Sequence, residues 1–321
     1  MAHGQYNKTA LGVRCLYTGG VRRLIINADD FGLTVGVNRA ILEAHEHGVV
    51  TSATMMANAG AVEDAVARAR NARLSVGCHV VLIDGAPLLP SQDVLSLVSG
   101  DARRARFRDG WLGFASRALR RRFDEDQIAA EVEAQIRKIQ QHGLTVTQVD
   151  SHKHVHLLPP VLAPMLRAAK ACGVRAVRNP FAPLKPLALA HLARRPRLWT
   201  RYTEVKMLRR FNADFRQRVA DAGMLTTDGT FGIVATGALD EQLFAAIVGS
   251  LPEGTWELVC HPGYCDDDLR RVQTRLRDSR EQELRMLTSP ARRQAIEAAG
   301  VELISYADLA SGDKVTGSSG H

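Results

Sequence analysis

The side chains able to do chemistry fall at the ends of apolar runs. Asp29 and Asp30 close RLIINADD, His79 sits in SVGCHVVL, His152 follows TVTQVDS, Arg178 ends VRAVR and His261 follows WELVC. One carboxylate with two imidazoles is a mixed hard and borderline donor set. Such a set suits a divalent cation with coordination positions left for water and substrate. No thiolate is required, so Zn2+ and harder ions such as Mg2+ or Mn2+ all match the donor types. Asp29 and Asp30 are neighbours, and successive side chains of a strand point to opposite faces. Both reach one site only if the chain bends, and Phe31-Gly32 is the expected bending point. One carboxylate would then ligate the ion while the other takes a proton from water. The motif DSHKHVH at 150–156 adds two further histidines. If the strand continues through it, His152, His154 and His156 share one side, with Lys153 and Val155 on the other. His154 and His156 are therefore candidate substrate contacts. His261 precedes Pro262-Gly263, a turn signal that would expose the imidazole where the strand stops.

Each of these residues also has a structural role open to it. An Asp pair can cap the following helix, and a histidine inside an apolar run is often a buried neutral residue. Arg178 is a candidate substrate-binding residue that would orient a carboxylate, or it makes a structural ion pair. Cys260 and Cys265 beside His261 read as packing thiols.

These residues need elements to bring them together. Short β-rich segments occur at 23–30, 51–58, 75–82, 145–154, 174–180, 230–236, 256–263 and 301–306. Helical patterns lie between them. The clearest runs from Asp126 to His142, with Ile128, Val132, Ile136 and Ile139 on one stripe and Gly143 as its stop. Thr34–His47 and Val161–Cys172 also end at glycines, and Ser289-Pro290 reads as N-cap and first helical residue. Apolar strands alternating with helices predict an α/β fold with a parallel sheet, closed here into a TIM-like (β/α) barrel. Every candidate residue then lies at the carboxyl end of a strand, on one face. No G-x-G-x-x-G or G-x-x-x-x-G-K-[ST] fingerprint follows the first strand, which argues against a nucleotide-binding doubly wound sheet.

One domain is expected over 22–310, preceded by an N-terminal extension at 1–21 and followed by a disordered tail at 311–321. Two long connections interrupt the alternation, about 84–123 and 181–225. The second is basic and amphipathic, rich in Leu, Trp and Arg. The 321 residues include 26 Gly and 12 Pro, an ordinary globular composition that excludes collagen-like and low-complexity classes. A formal charge of +8 arises with only seven lysines, so the excess is arginine. Five cysteines with no C-x-x-C pair indicate neither a disulfide framework nor a zinc finger. No signal-like or membrane-spanning apolar run is present, so a cytoplasmic setting is expected.

NADDFG (27–32), GVVTSATMMAN (48–58), the G-x-H of GCH (77–79), DSHKHVH (150–156) and HPG (261–263) carry a more specific signal. Together, in this order, they resemble the YdjC-like carbohydrate deacetylase family. That family includes ChbG-type chitooligosaccharide deacetylases and HpnK proteins associated with hopanoid biosynthesis. The likeness runs from about Arg22 to Leu309. It implies a distorted barrel that removes acetyl from an N-acetylated sugar, usually an N-acetylglucosamine unit, with one divalent metal ion (Mg2+ or Zn2+). By motif it implies Asp30, His79 and His152 as metal ligands and Asp29 as general base. His261 is similar to the position expected to assist protonation of the leaving amine. HVVLIDGAPLLP leans toward the HpnK side, and the basic insertion would suit a lipid-linked glycoside such as a hopanoid. The expected partners are thus an acetylated amino sugar, a membrane surface touched peripherally and a second copy in a homodimer. No nucleic acid is expected.

The competing enzyme class is a metal-dependent phosphoesterase, which would need more carboxylate ligands than the strand ends place. A glycosidase lacks a clear second carboxyl. A nucleic-acid-binding protein rests on charge alone, without a recognition signature.

Overall fold

The computed structural model describes residues 20–100, 104–108, 110–182 and 208–311. The expected N-terminal extension and C-terminal tail lie outside these residues except at their inner edges, and so does 183–207 of the second long connection.

The sheet is built on β1 (Arg22–Phe31), whose last eight residues are all buried. Its apolar run packs under helices, as a strand of a covered parallel sheet must. β2 (Ser52–Met55), β3 (Ser75–Val80), β6 (Val146–Ser151) and β7 (Ala176–Val177) extend from one edge of β1. β9 (Gly254–Cys260) and β8 (Gly229–Phe231) extend from the other. The order is β7-β6-β3-β2-β1-β9-β8, with every pair parallel. β10 (Val301–Leu303) lies beside Arg22–Leu24 of β1, on the edge that β2 occupies further along. The two ends of the sheet meet through isolated bonds. Val177 N–H donates to Leu225 O at 2.9 Å, and Thr230 N–H donates to Phe181 O at 3.0 Å. The result is a distorted half-barrel, in which each of the eight expected β segments contributes a strand.

The helices form for local reasons. Thr34 caps α1 (Val35–Glu46) by accepting Val37 N–H. Asp124 caps α4 (Glu125–Gln141) through Asp126 and Gln127 N–H, and the expected Ile128, Val132, Ile136 and Ile139 stripe is fully buried. Two prolines open α5 (Pro159–Ala171), where a missing N–H costs nothing. α2 spans Val62–Ala72. The first long connection holds a small antiparallel pair, β4 (Val98–Ser99) with β5 (Arg106–Phe107), and then α3 (Trp111–Leu119). No helix among the described residues is long and apolar enough to cross a membrane.

Candidate active site

Asp29 and Asp30 do reach one site, but the bend falls one residue earlier than expected. Asp30 itself adopts φ 67, and the register between β1 and β2 shifts between Ala28 and Phe31. A non-glycine residue in this region carries strain of roughly 1 kcal/mol or more, tolerated where surrounding structure holds it. Here Leu33 N–H donates to Asp30 O, and Gly32, at φ 99, donates its N–H to Asn38 Oδ1 at 2.7 Å.

The second departure is in DSHKHVH. The strand stops at Ser151, and 152–157 coil into short 3-10 turns with Lys153 and His154 at φ 55 and 54. Strand alternation therefore does not operate past Ser151, and the three histidines take different environments. His152 turns toward Asp30. His156 is buried, with Nδ1 2.6 Å from Ser151 Oγ and Nε2 3.3 Å from Arg178 O, so both ring nitrogens have protein partners. His154 stacks edge-on to His156, and its buried Nδ1 has no partner among the described residues. Burial, with Arg178 nearby, holds His156 down to about 3 and His154 well below the ordinary histidine value.

Asp30, His79 and His152 converge. Asp30 Oδ1 is 3.6 Å from His79 Nε2 and 3.5 Å from His152 Nδ1, and the two nitrogens are 3.3 Å apart. Ligand atoms about 2.0–2.1 Å from a tetrahedral ion stand roughly 3.3 Å from one another, so this triangle fits a divalent cation. His79 is prepared for the role: its Nδ1 lies 2.7 Å from Asp150 Oδ1, which fixes the ring and turns Nε2 toward Asp30. Burial pulls His79 down, yet the carboxylates of Asp150, Asp29 and Asp30 push it up to about 9. The protein thus favours positive charge at this point. Asp30 and His79 are buried, whereas the His152 side chain is 24% exposed and opens the triangle to solvent.

Arg178 is wholly buried and faces carboxylates of the protein. It donates to both oxygens of Asp29, at 2.7 and 2.9 Å, and also pairs with Asp150 and Glu257. Asn27 and Thr54 add bonds to Asp29 Oδ1 at 2.9 and 3.0 Å. Burial opposes ionisation of Asp29, but Arg178 wins and lowers it far below the usual carboxylate value. Glu257 in turn accepts from Tyr306 and Thr230. Asp29, His79 and Asp150 form a second triangle with metal-ligand chemistry, but Arg178 Nη1 already bonds the two carboxylates within it.

His261 Nε2 is 4.0 Å from Asp29 Oδ2, and its buried Nδ1 is unpartnered among the described residues. Burial lowers His261 to about 4, against the pull of Asp29 and Asp30. The helix Asp278–Thr288 holds the His261 loop at alternate residues. Glu283 accepts His261 N–H at 2.6 Å, Arg280 O accepts Gly263 N–H, and Glu281 accepts Cys265 N–H at 2.9 Å. A Cβ on Gly263 would stand 2.8 Å from Arg280 Cδ, which is why the loop carries glycine there. The Arg280 side chain reaches Asp30 Oδ2, leaving Oδ1 to the imidazoles, and helps to hold Asp30 well below the ordinary carboxylate value despite its burial.

Arg280, Glu283 and Glu257 did not stand out in the sequence. Arg280 and Glu283 lie on a polar helix, and nothing local marks that one face of it meets the strand ends. Thr54 lies in GVVTSATMMAN and Asp150 in DSHKHVH, where the position of Asp150 just before the chain leaves the strand was the available signal.

A parallel α/β half-barrel with an Asp-His-His triangle at the carboxyl ends of its strands defines a barrel protein with a candidate divalent-metal centre. The chain belongs to the YdjC-like protein family, whose model matches residues 23–298. It is 32% identical over 289 residues to a carbohydrate deacetylase of Brevibacillus brevis, covering 89% of this chain and 99% of that one. It is 32% identical over 290 residues to a chitooligosaccharide deacetylase of Yersinia enterocolitica, covering 89% and 98%. An Enterococcus faecalis crystal structure, described as a candidate cellobiose-phosphate cleavage protein, superposes with a TM-score of 0.71 at 27% identity, covering 91% of this chain and all of that one.

Proposed function

We propose that this protein is a metal-dependent hydrolase that removes the acetyl group from an N-acetylated sugar. The observation that carries the reading is the Asp30–His79–His152 triangle with ionised Asp29 beside it, in a chain whose relatives are carbohydrate deacetylases. A divalent ion held there would polarise the acetyl carbonyl and acidify the attacking water.

The remaining work belongs to the chain's own residues. Asp29, gripped by Arg178, Asn27 and Thr54, keeps its charge and orientation and accepts the proton of the attacking water. His261, whose Nε2 is 4.0 Å from Asp29 Oδ2, delivers a proton to the departing nitrogen. Because burial keeps His261 neutral near pH 7, it is charged during the cycle, by the proton that leaves the water, and not beforehand. Water adds its oxygen to the carbonyl carbon, the C–N bond breaks, and the products are acetate and the free amine.

The two-metal phosphoesterase alternative is disfavoured by Arg178, whose guanidinium supplies the positive charge between Asp29 and Asp150 that a second cation would need. The test is acetate release by metal-stripped and metal-restored protein. The panel spans free N-acetylglucosamine, chitooligosaccharides and a lipid-linked N-acetylglucosamine such as a hopanoid glycoside. Metal-dependent release from one member is expected. Silence from protein that demonstrably binds metal would overturn the reading.

A further inference from the structure

The first long connection carries a surface that the proposed chemistry does not use. α3 buries Phe114, Ala115 and Ala118 against the barrel, while Leu112 and Leu119 point outward on one stripe at helical spacing, 80% and 46% exposed. With Leu95, they are three of the five large apolar side chains exposed among the described residues. Around them stand arginines. Arg106, Arg120, Arg121 and Arg122 are exposed, and Arg108 and Arg117 are half-buried with Nε atoms that meet no acceptor. None of the six forms an ion pair with a described carboxylate. Burial and the guanidiniums of Arg108 and Arg122 together pull Arg117 down from the ordinary arginine value, so like charges crowd here, with Arg117 lying 5.6 Å over the Phe123 ring. Trp111 Nε1 donates to Lys153 O at 3.3 Å, which fastens the start of α3 beside His152, the open side of the metal triangle.

We propose that α3 and its flanking arginines dock the protein on an anionic lipid bilayer, with the mouth of the site facing the headgroup layer. Exposed leucines interleaved with guanidiniums that meet no described carboxylate match a surface that is apolar beneath and negatively charged above. A soluble phosphate or a nucleic-acid backbone would satisfy the arginines but gain nothing from the leucines. A consequence for substrate, resting on the deacetylase reading, is that a sugar carried at a membrane surface reaches His152 without leaving the headgroup layer.

Flotation of the full chain with phosphatidylcholine vesicles, with and without phosphatidylglycerol, tests the docking. Binding is expected only to the anionic vesicles and is expected to weaken with salt. Leu112→Ser with Leu119→Ser should lower the partition coefficient roughly tenfold or more. Arg106→Gln, Arg120→Gln and Arg122→Gln together should lower it about fivefold for each charge removed. Leu112→Ser alone alters only a side chain in solvent and guards against misfolding as the cause. Deacetylation of a soluble substrate should be unchanged in all these variants. The proposal fails if anionic vesicles do not bind at low salt, or if the variants bind as well as the parent. It fails equally if the leucine changes abolish a dimer in solution, or if a duplex oligonucleotide binds as tightly as the vesicles. Flotation reads docking without catalysis, so failure of the deacetylase reading would show separately, as silence on every acetylated sugar.

Discussion

Asp150 touches neither solvent nor the Asp30–His79–His152 triangle's open side, yet replacing it with Asn should weaken metal binding. Its Oδ1, 2.7 Å from His79 Nδ1, fixes which nitrogen of the ring faces Asp30. Against the burial that pulls His79 down, Asp150 is the largest of the carboxylate contributions that lift it from 6.5 to about 9. That net rise corresponds to about 3 kcal/mol in favour of positive charge at the ring, and a bound cation draws on the same field. Losing the partner of a ligating histidine typically costs 10–100-fold in metal affinity, or about 1.4–2.7 kcal/mol. Asp150→Asn preserves shape, and Arg178 keeps Asp29 and Glu257 as partners, so the fold should persist. Calorimetric titration of Zn2+ or Mn2+ into metal-stripped parent and variant should show affinity falling within that range. NMR titration should show His79 losing its proton well below pH 9. Unchanged affinity, or a His79 that still titrates near 9, would refute the role assigned to Asp150.

Other outcomes are expected from the same geometry. His261→Asn should lower kcat about 10²–10⁴-fold while metal affinity stays at the parental value, and calorimetry with a steady-state assay separates the two. Arg280→Met leaves the buried Asp30 carboxylate without its cation, so melting temperature should fall, whereas Glu283→Ala should lower kcat with little change in metal affinity. In the metal-free protein, His79 contributes stability that is complete below pH 6.5 and is lost as pH rises through about 9; melting temperature should drop between pH 7 and 9, and bound metal should remove that drop. His261, held down to about 4, acts in the opposite sense, so its contribution to stability should be lost as pH falls from 6.5 toward 4. Gly77→Ala would place a Cβ 2.5 Å from the Gln148 carboxamide that bonds Asn27, and should destabilise by about 1–3 kcal/mol in thermal unfolding.

Much of the architecture was legible in the order of residues because period and punctuation are local properties. The run RLIINADD, the α4 stripe and the glycine stops marked β1, α4 and their ends without reference to anything distant. The strand alternation expected through His156 did not survive, because Lys153 and His154 take left-handed dihedrals that no hydrophobic pattern announces. The bend at Asp30 was foreseen in kind but misplaced by a residue. Glycine is the usual signal of a positive φ, and here an aspartate takes one, supported by neighbours from other elements.

Composition and local pattern alone determined that this chain builds a covered parallel sheet with acids and imidazoles at its strand ends. Only the tertiary structure decided how those groups are charged and aimed. Asp29 owes its ionisation to Arg178, 149 residues away, and Asp30 owes its free Oδ1 to Arg280, 250 residues away. Electrostatics in a buried site depends on distance and dielectric. Neither can be read from separation along the chain, so the partners that prepare this site became visible only once the strands were side by side.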